Sequence, residues 1–146
     1  AMVKSYFPNA SIGADIITGY PGETEEQFEE TYRLLEELPI THFHVFPYSK
    51  RKNTTAARMD NHIQGPLKKK RVRSLIALGE EKLEAFRQEM LGRESEILFE
   101  REKEGYFYGY TSNYIRVKIK SSEDLKNKIL KLKLSEMQGN DILVRP

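Results

Sequence analysis

With 146 residues and no cysteine, the chain is long enough for one ordinary domain or two small ones, and it excludes disulfides and any cluster held by its own thiolates. Charged residues make up 32% and hydrophobic residues 38%, and no apolar run approaches the roughly 20 residues of a membrane-spanning helix, so neither a membrane segment nor a signal peptide is expected and a cytoplasmic location is. The net charge of +2 is uneven: residues 1–48 hold 2 Lys/Arg against 8 Asp/Glu, residues 49–92 hold 11 against 5, and residues 93–146 hold 11 against 9. A basic middle marks either a nucleic-acid face or a solvated helix surface, and charge alone favours the second.

Residues 11–18 end in Ala14-Asp15-Ile16-Ile17-Thr18 and run into Gly19, which predicts a strand buried on both faces, as in a parallel sheet. Pro21-Gly22 signals a turn, and Thr24 with Gln27 at the third helical position forms a capping box. The helix that follows carries Phe28, Thr31, Tyr32, Leu35 and Leu38 on one stripe and stops at Pro39. Its acidic first turn suits the positive end of the helix dipole. Residues 41–48 predict a second strand, parallel to the first with a right-handed crossover. A strand end that opens through a glycine-containing loop into a helix is where α/β proteins place ligands. One such unit has too few partner strands for a complete sheet, so the chain is expected to be a piece of something larger.

Residues 49–66 read as loop, and residues 67–91 as a long helix with Val72, Leu75, Ile76, Leu83, Phe86 and Met90 at helical spacing, capped by Gly92. Its first half, Lys68-Lys69-Lys70-Arg71-Val72-Arg73, is basic. Beyond Gly92 the pattern changes to short strands at 94–100, 106–111, 114–120, 129–136 and 141–145, separated by Gly105, Ser112-Asn113, Asn127 and Gly139-Asn140. This predicts a small all-β, OB-like barrel, with the domain boundary after residue 92.

Asp15 in an apolar strand predicts a buried carboxylate that either orients a ligand or a basic residue, or caps a nearby backbone N–H. His42 and His44 share one strand face, but no acidic residue adjoins them in sequence, so no metal site is expected. In the last domain Ile115, Val117 and Ile119 alternate with Arg116, Lys118 and Lys120, giving one core face and one cationic face beside Tyr114. That face is either solvated or a phosphate-binding row with stacking surfaces; Tyr108 shares it while Phe107 turns inward.

The order of motifs resembles a known family. Residues 13–28, Gly-Ala-Asp-Ile-Ile-Thr-Gly-Tyr-Pro-Gly-Glu-Thr-Glu-Glu-Gln-Phe, resemble the late-barrel segment of radical-SAM tRNA methylthiotransferases. His44-Val45-Phe46-Pro47-Tyr48-Ser49 resembles their next strand, and Thr54 with Ala56-Ala57-Arg58-Met59 follows in the expected place. Gly109-Tyr110-Thr111-Ser112-Asn113-Tyr114-Ile115-Arg116-Val117 is similar to their terminal TRAM domain, an RNA-binding module. Among subfamilies the chain looks most like the threonylcarbamoyladenosine tRNA methylthiotransferases. Two departures stand out: the family's cluster-binding cysteines are absent, and Lys52-Asn53 stands where the family usually has Pro-Gly.

The resemblance implies an α/β partial barrel over residues 1–92 and a TRAM-like β-barrel over 93–146. It implies a parent enzyme that uses S-adenosylmethionine and two 4Fe-4S clusters to add a methylthio group to C2 of the hypermodified adenosine beside the anticodon. Asp15, Ile17, Thr18, Gly19, Phe46, Pro47 and Tyr48 would line the cofactor. Lys50, Arg51, Tyr108, Asn113, Tyr114, Arg116, Lys118 and Lys120 would meet the tRNA anticodon stem-loop. No residue present is expected to be catalytic, and no cofactor is expected on this chain alone, which is expected to be inactive. The exposed sheet of a half-barrel predicts a homodimer with exchanged elements. The alternative from another class is a freestanding RNA-binding module with no catalytic role.

Overall fold

A computed structural model describes residues 2–146. The chain divides into two compact units, each with its own core: residues 2–6 with 12–83, and residues 7–11 with 84–146. The first unit contains α1 (Met2–Tyr6), β1 (Gly13–Thr18), α2 (Glu25–Glu37), β2 (His42–Pro47), α3 (Thr55–Arg58) and most of α4 (Gly65–Met90).

The strands β1 and β2 pair in parallel, from Gly13 opposite His42 to Thr18 opposite Pro47. The capping box at Thr24 and Gln27 forms as the sequence predicts, with the Gln27 N–H donating to Thr24 Oγ1 and the Thr24 N–H donating to Gln27 Oε1. Such a cap stabilises a helix start by about 1 kcal/mol. Phe28 and Leu35, seven residues apart on α2, meet Phe43 of β2 and Leu75 and Leu78 of α4, with Ala14, Ile16 and Val45 packed alongside. Burial of each large member contributes about 1.5–3 kcal/mol.

The helices cover only one face of this two-stranded sheet. Strand alternation therefore turns Ala14, Ile16 and Thr18 inward and Asp15 and Ile17 outward. On β2 it turns Phe43 and Val45 inward and His44 and Phe46 outward. Ile17 is 61% exposed and Phe46 49%, so the expected burial of the strand on both faces is corrected.

The stretch 49–66 also holds the short helix α3, capped by Thr54, whose hydroxyl accepts from the Ala57 N–H at 3.2 Å. Asn53 adopts φ 67°, a left-handed conformation that asparagine tolerates. On α4 the inward stripe of the first unit is Arg71, Leu75 and Leu78, while Ile76, expected in the stripe, is exposed. Phe86 and Met90 belong to the core of the second unit, so the division falls within α4 rather than after Gly92.

The second unit is a closed barrel of β3 (Glu94–Lys103), β4 (Tyr106–Thr111), β5 (Arg116–Lys120), β6 (Ile129–Gln138) and β7 (Asp141–Arg145) in the order β3-β4-β5-β7-β6. All pairings are antiparallel except β5 with β7. Ile97, Phe99, Phe107, Val117, Leu134, Ile142 and Val144 alternate into the interior, and closure leaves no open sheet edge. Gly109 is required where β4 pairs with β3 opposite Phe99: a Cβ there would stand 2.3 Å from the Leu98 carbonyl oxygen. Beside that pair β3 carries a bulge between Phe99 and Arg101. The strand predicted from residue 114 begins only at Arg116, because Tyr114 sits in a turn with φ 62°. Among the described residues, no helix is long and apolar enough to cross a membrane.

Candidate ligand wall and nucleic-acid face

The carboxyl end of β1 is held by a buried polar network. Thr18 Oγ1 and the Gly19 N–H both donate to Glu23 Oε2, at 3.1 and 2.9 Å. Arg71 of α4 donates through Nη1 to the same oxygen at 2.6 Å and to the Glu23 carbonyl at 3.0 Å, and through Nη2 to Glu25 Oε2 at 2.8 Å. The Arg71 side chain is 2% exposed and its guanidinium lies over the Phe28 ring at 5.2 Å. Burial pushes the Arg71 pKa down, but the hydrogen bonds and charges of Glu25 and Glu23 outweigh it and hold the group above its ordinary value. The sequence reading did not single out Arg71, since it lies within a basic run. The available signal was its position one turn before Leu75 and Leu78 on the inward stripe.

Gly19 has φ +77°, and a Cβ there would stand 2.5 Å from Lys68 Cγ. Lys68 in turn donates from Nζ to the Tyr48 carbonyl at 3.1 Å and lies over the Tyr48 ring at 5.6 Å. The Tyr48 N–H donates to the Thr18 carbonyl at 2.8 Å, and its ring packs against Tyr20 and His62. The expected cofactor-lining residues therefore divide. Ile17 and Phe46 stand opposite each other in register and outward. Thr18 is buried, with its hydroxyl committed to Glu23, while Gly19 contributes backbone; Pro47 is exposed and Tyr48 half-buried.

Asp15 is not buried. Its side chain is 75% exposed, because its strand position faces away from the helices. Register puts it opposite His44, whose Nδ1 is 3.2 Å from Asp15 Oδ1. The His42 ring centroid is 6.1 Å from that of His44. Strand pairing thus supplies the acidic neighbour that the histidines lack in sequence. Among the described residues, no group of three His, Cys, Asp or Glu is arranged to hold a metal ion.

On the outside of the barrel, register aligns Tyr106 with Lys120, Tyr108 with Lys118 and Tyr110 with Arg116. The three tyrosines form a ladder along β4. The bulge in β3 shifts its side-chain parity, which brings Arg101 opposite Tyr108 and Lys103 opposite Tyr106. The Arg101 guanidinium lies over the Tyr108 ring at 5.4 Å. The ladder thus has cations on both sides, and a pattern read without the bulge misses those on β3.

The cationic row on β5 is less open than its sequence suggests. Buried Asp141 accepts from Arg116 Nε, and its other oxygen is 3.9 Å from Lys118 Nζ, which lies over the Tyr106 ring. The hydrogen bond to Asp141 outweighs burial and raises the Arg116 pKa. Lys120 remains exposed. The Asn113 amide is engaged within its own unit: Nδ2 donates to the Asn9 carbonyl at 2.8 Å, and Oδ1 accepts from Thr111 Oγ1 at 2.6 Å. Tyr114 is 82% exposed, its ring centroid 6.4 Å from that of Tyr110. Lys50 and Arg51 are exposed on the loop after β2, in the first unit.

The fold is an α/β unit joined in one chain to a closed β-barrel with an aromatic and cationic outer face. No family model matches the chain. Among curated proteins it is 40% identical over 137 residues to the threonylcarbamoyladenosine tRNA methylthiotransferase MtaB of Bacillus subtilis, a match that covers 90% of this chain and 30% of the relative. The MtaB of Aquifex aeolicus is 40% identical over 111 residues, 76% of this chain and 26% of the relative. The tRNA-2-methylthio-N(6)-dimethylallyladenosine synthase of Desulfitobacterium hafniense is 42% identical over 100 residues, 68% of this chain and 22% of the relative. The chain is thus similar over most of its length to tRNA methylthiotransferases, and it spans less than a third of the length of these relatives.

Proposed function

We propose that the chain forms part of a cytoplasmic radical-SAM enzyme that places a methylthio group on C2 of the hypermodified adenosine beside the tRNA anticodon. The observation that carries the reading is similarity to tRNA methylthiotransferases across 90% of the chain. Threonylcarbamoyladenosine is the favoured substrate: MtaB of B. subtilis is 40% identical over 137 residues, against 36% over 137 for the dimethylallyladenosine synthase of Bacillus pumilus. The barrel acts as a TRAM domain. Its tyrosine ladder stacks bases, and Arg101 and Lys120 neutralise phosphates.

The residues fit part of the cofactor set. Ile17 and Phe46 present a paired apolar platform at the strand ends, next to a Thr18-Gly19 backbone fixed by Glu23 and Arg71, and would pack against the adenosyl group of S-adenosylmethionine. They do not fit the iron–sulfur clusters: the chain has no cysteine, and no ligand group of three is present among the described residues. When bound, the cofactor and clusters supply the radical and sulfur chemistry. This chain's part is to fix one wall of the cofactor site, exclude water with apolar side chains, and hold the substrate RNA.

The test is nucleoside mass spectrometry after incubation of tRNA with S-adenosylmethionine and a reductant. The 146-residue chain alone gives no methylthio product, whereas the same residues joined to a cluster-binding domain of the family do. In the joined protein Tyr108→Ala and Lys120→Ala lower the yield at limiting tRNA. Product from the isolated chain, or an unaltered yield from both variants, contradicts the reading.

A further inference from the structure

One end of the tyrosine ladder opens into a groove that the methylthiotransferase reading leaves unused. Register sets Leu98 of β3 between Tyr110 of β4 and Ile129 of β6, so three large side chains form a row across three strands. All three are solvent-exposed, Leu98 at 41% and Ile129 at 65%, which is unusual for a soluble barrel surface. Tyr114 stands over the end of the row, its ring tilted 52° from that of Tyr110. The cavity they line has a volume of about 430 Å³ and also takes in Glu96 and Glu100 of β3. Strand alternation puts Glu96 and Glu100 on the same outward face as Leu98, and the shift in parity begins only beyond Glu100.

The chemistry of this lining is specific. Two aromatic faces and an aliphatic floor suit a flat, weakly hydrated ring. The two carboxylates can only accept hydrogen bonds, so the complementary ring edge must donate. They also repel phosphate, so an RNA strand would keep its backbone off the groove. Cationic positions for that backbone flank it: Arg116, held by Asp141, opposite Tyr110 on one side, and on β6 Lys133 with Lys131, which pairs with Glu94 at 3.1 Å, on the other.

We propose that this groove seats a single unstacked nucleobase with an exocyclic amino group, cytosine among the pyrimidines. Tyr110 and Tyr114 offer their faces to the ring, Leu98 and Ile129 support it, and Glu96 or Glu100 accepts from the amino group. Uracil presents a carbonyl at the same position and is disfavoured. The inference rests on the reading of the barrel as an RNA-binding module.

The experiment is fluorescence-anisotropy titration of the 146-residue chain with labelled ten-nucleotide oligocytidylate and oligouridylate at low salt. The anticodon stem-loop is titrated in parallel, and a ten-residue alternating Leu-Arg peptide serves as competitor. A carboxylate reading the cytosine amino group gives about tenfold preference for oligocytidylate. The exposed substitutions Glu96→Gln and Glu100→Gln together reduce that preference below about twofold, without weakening oligouridylate binding. Equal binding of the two oligomers, with the stem-loop still bound, overturns the base seat and leaves the RNA-binding reading standing. Failure of all three RNAs to bind overturns both. Stronger binding of the peptide than of oligocytidylate, lost in the double variant, assigns the groove to a protein segment and overturns the proposal.

Discussion

Replacing Arg71 by methionine removes the group that joins α4 to the end of β1 while keeping much of its aliphatic volume. Glu23, whose side chain is 14% exposed, is left with only the Thr18 hydroxyl and Gly19 N–H as donors. Breaking a buried pair from one side costs about 3–5 kcal/mol, because the remaining charge stays desolvated. The second arm reaches Glu25, which is half exposed, and adds at most about 1 kcal/mol. The total is a large share of the roughly 5–15 kcal/mol that stabilises a domain. It corresponds to a fall in melting temperature of about 12 °C or more. Urea unfolding followed by circular dichroism measures the cost, and amide exchange at Gly19 and Phe28 assigns it to the first unit. Glu23→Gln in the same background supplies the cycle: the double variant should be less destabilised than the sum of the singles by about 1–3 kcal/mol. A loss below about 1 kcal/mol for Arg71→Met, or strict additivity, would show that Arg71 and Glu23 are not coupled as a buried pair.

Gly109→Ala drives a methyl group against the Leu98 carbonyl, so the barrel should lose its slowest-exchanging amides at Ile97 and Phe99; native exchange there would contradict the packing. Asp141→Asn releases Arg116 and Lys118 from a buried carboxylate. Stability should fall while affinity for single-stranded RNA rises, with a salt dependence steeper by about one to two phosphate contacts; unchanged affinity would show that those cations do not reach RNA. The outward pair Ile17 and Phe46 should make the isolated chain self-associate, giving a dimer mass in sedimentation that Ile17→Ser with Phe46→Ser returns to monomer. A wild-type monomer at high concentration would count against that expectation.

The legible features were those with local causes. The capping box at Thr24, the two flanking strands and the five barrel strands follow from short-range patterns, and all formed. The misses came from relations that no window along the chain contains. Asp15 reads as buried only if its sheet is covered on both faces; here the helices cover one. Arg71 lies among lysines, so its helical spacing to Leu75 hints at burial, but its partners Glu23 and Glu25 are 48 and 46 residues away in the chain. Arg101 and Lys103 join the tyrosine ladder only because a bulge shifts their parity, a change the period-2 pattern cannot anticipate. The cations on β5 look free in sequence, yet Asp141, 25 residues beyond Arg116, holds two of them.

Contact between tRNA and the barrel face built on β4 and β5 underlies the proposed function. It is tested most directly by nuclear magnetic resonance mapping of an anticodon stem-loop titrated onto the isotopically labelled chain at two salt concentrations. Binding should be salt-sensitive, with the largest shifts at Tyr106, Tyr108, Tyr110, Arg101 and Lys120. Salt-insensitive shifts, or a footprint confined to the β6–β7 side around Lys133 and Arg145, would contradict it.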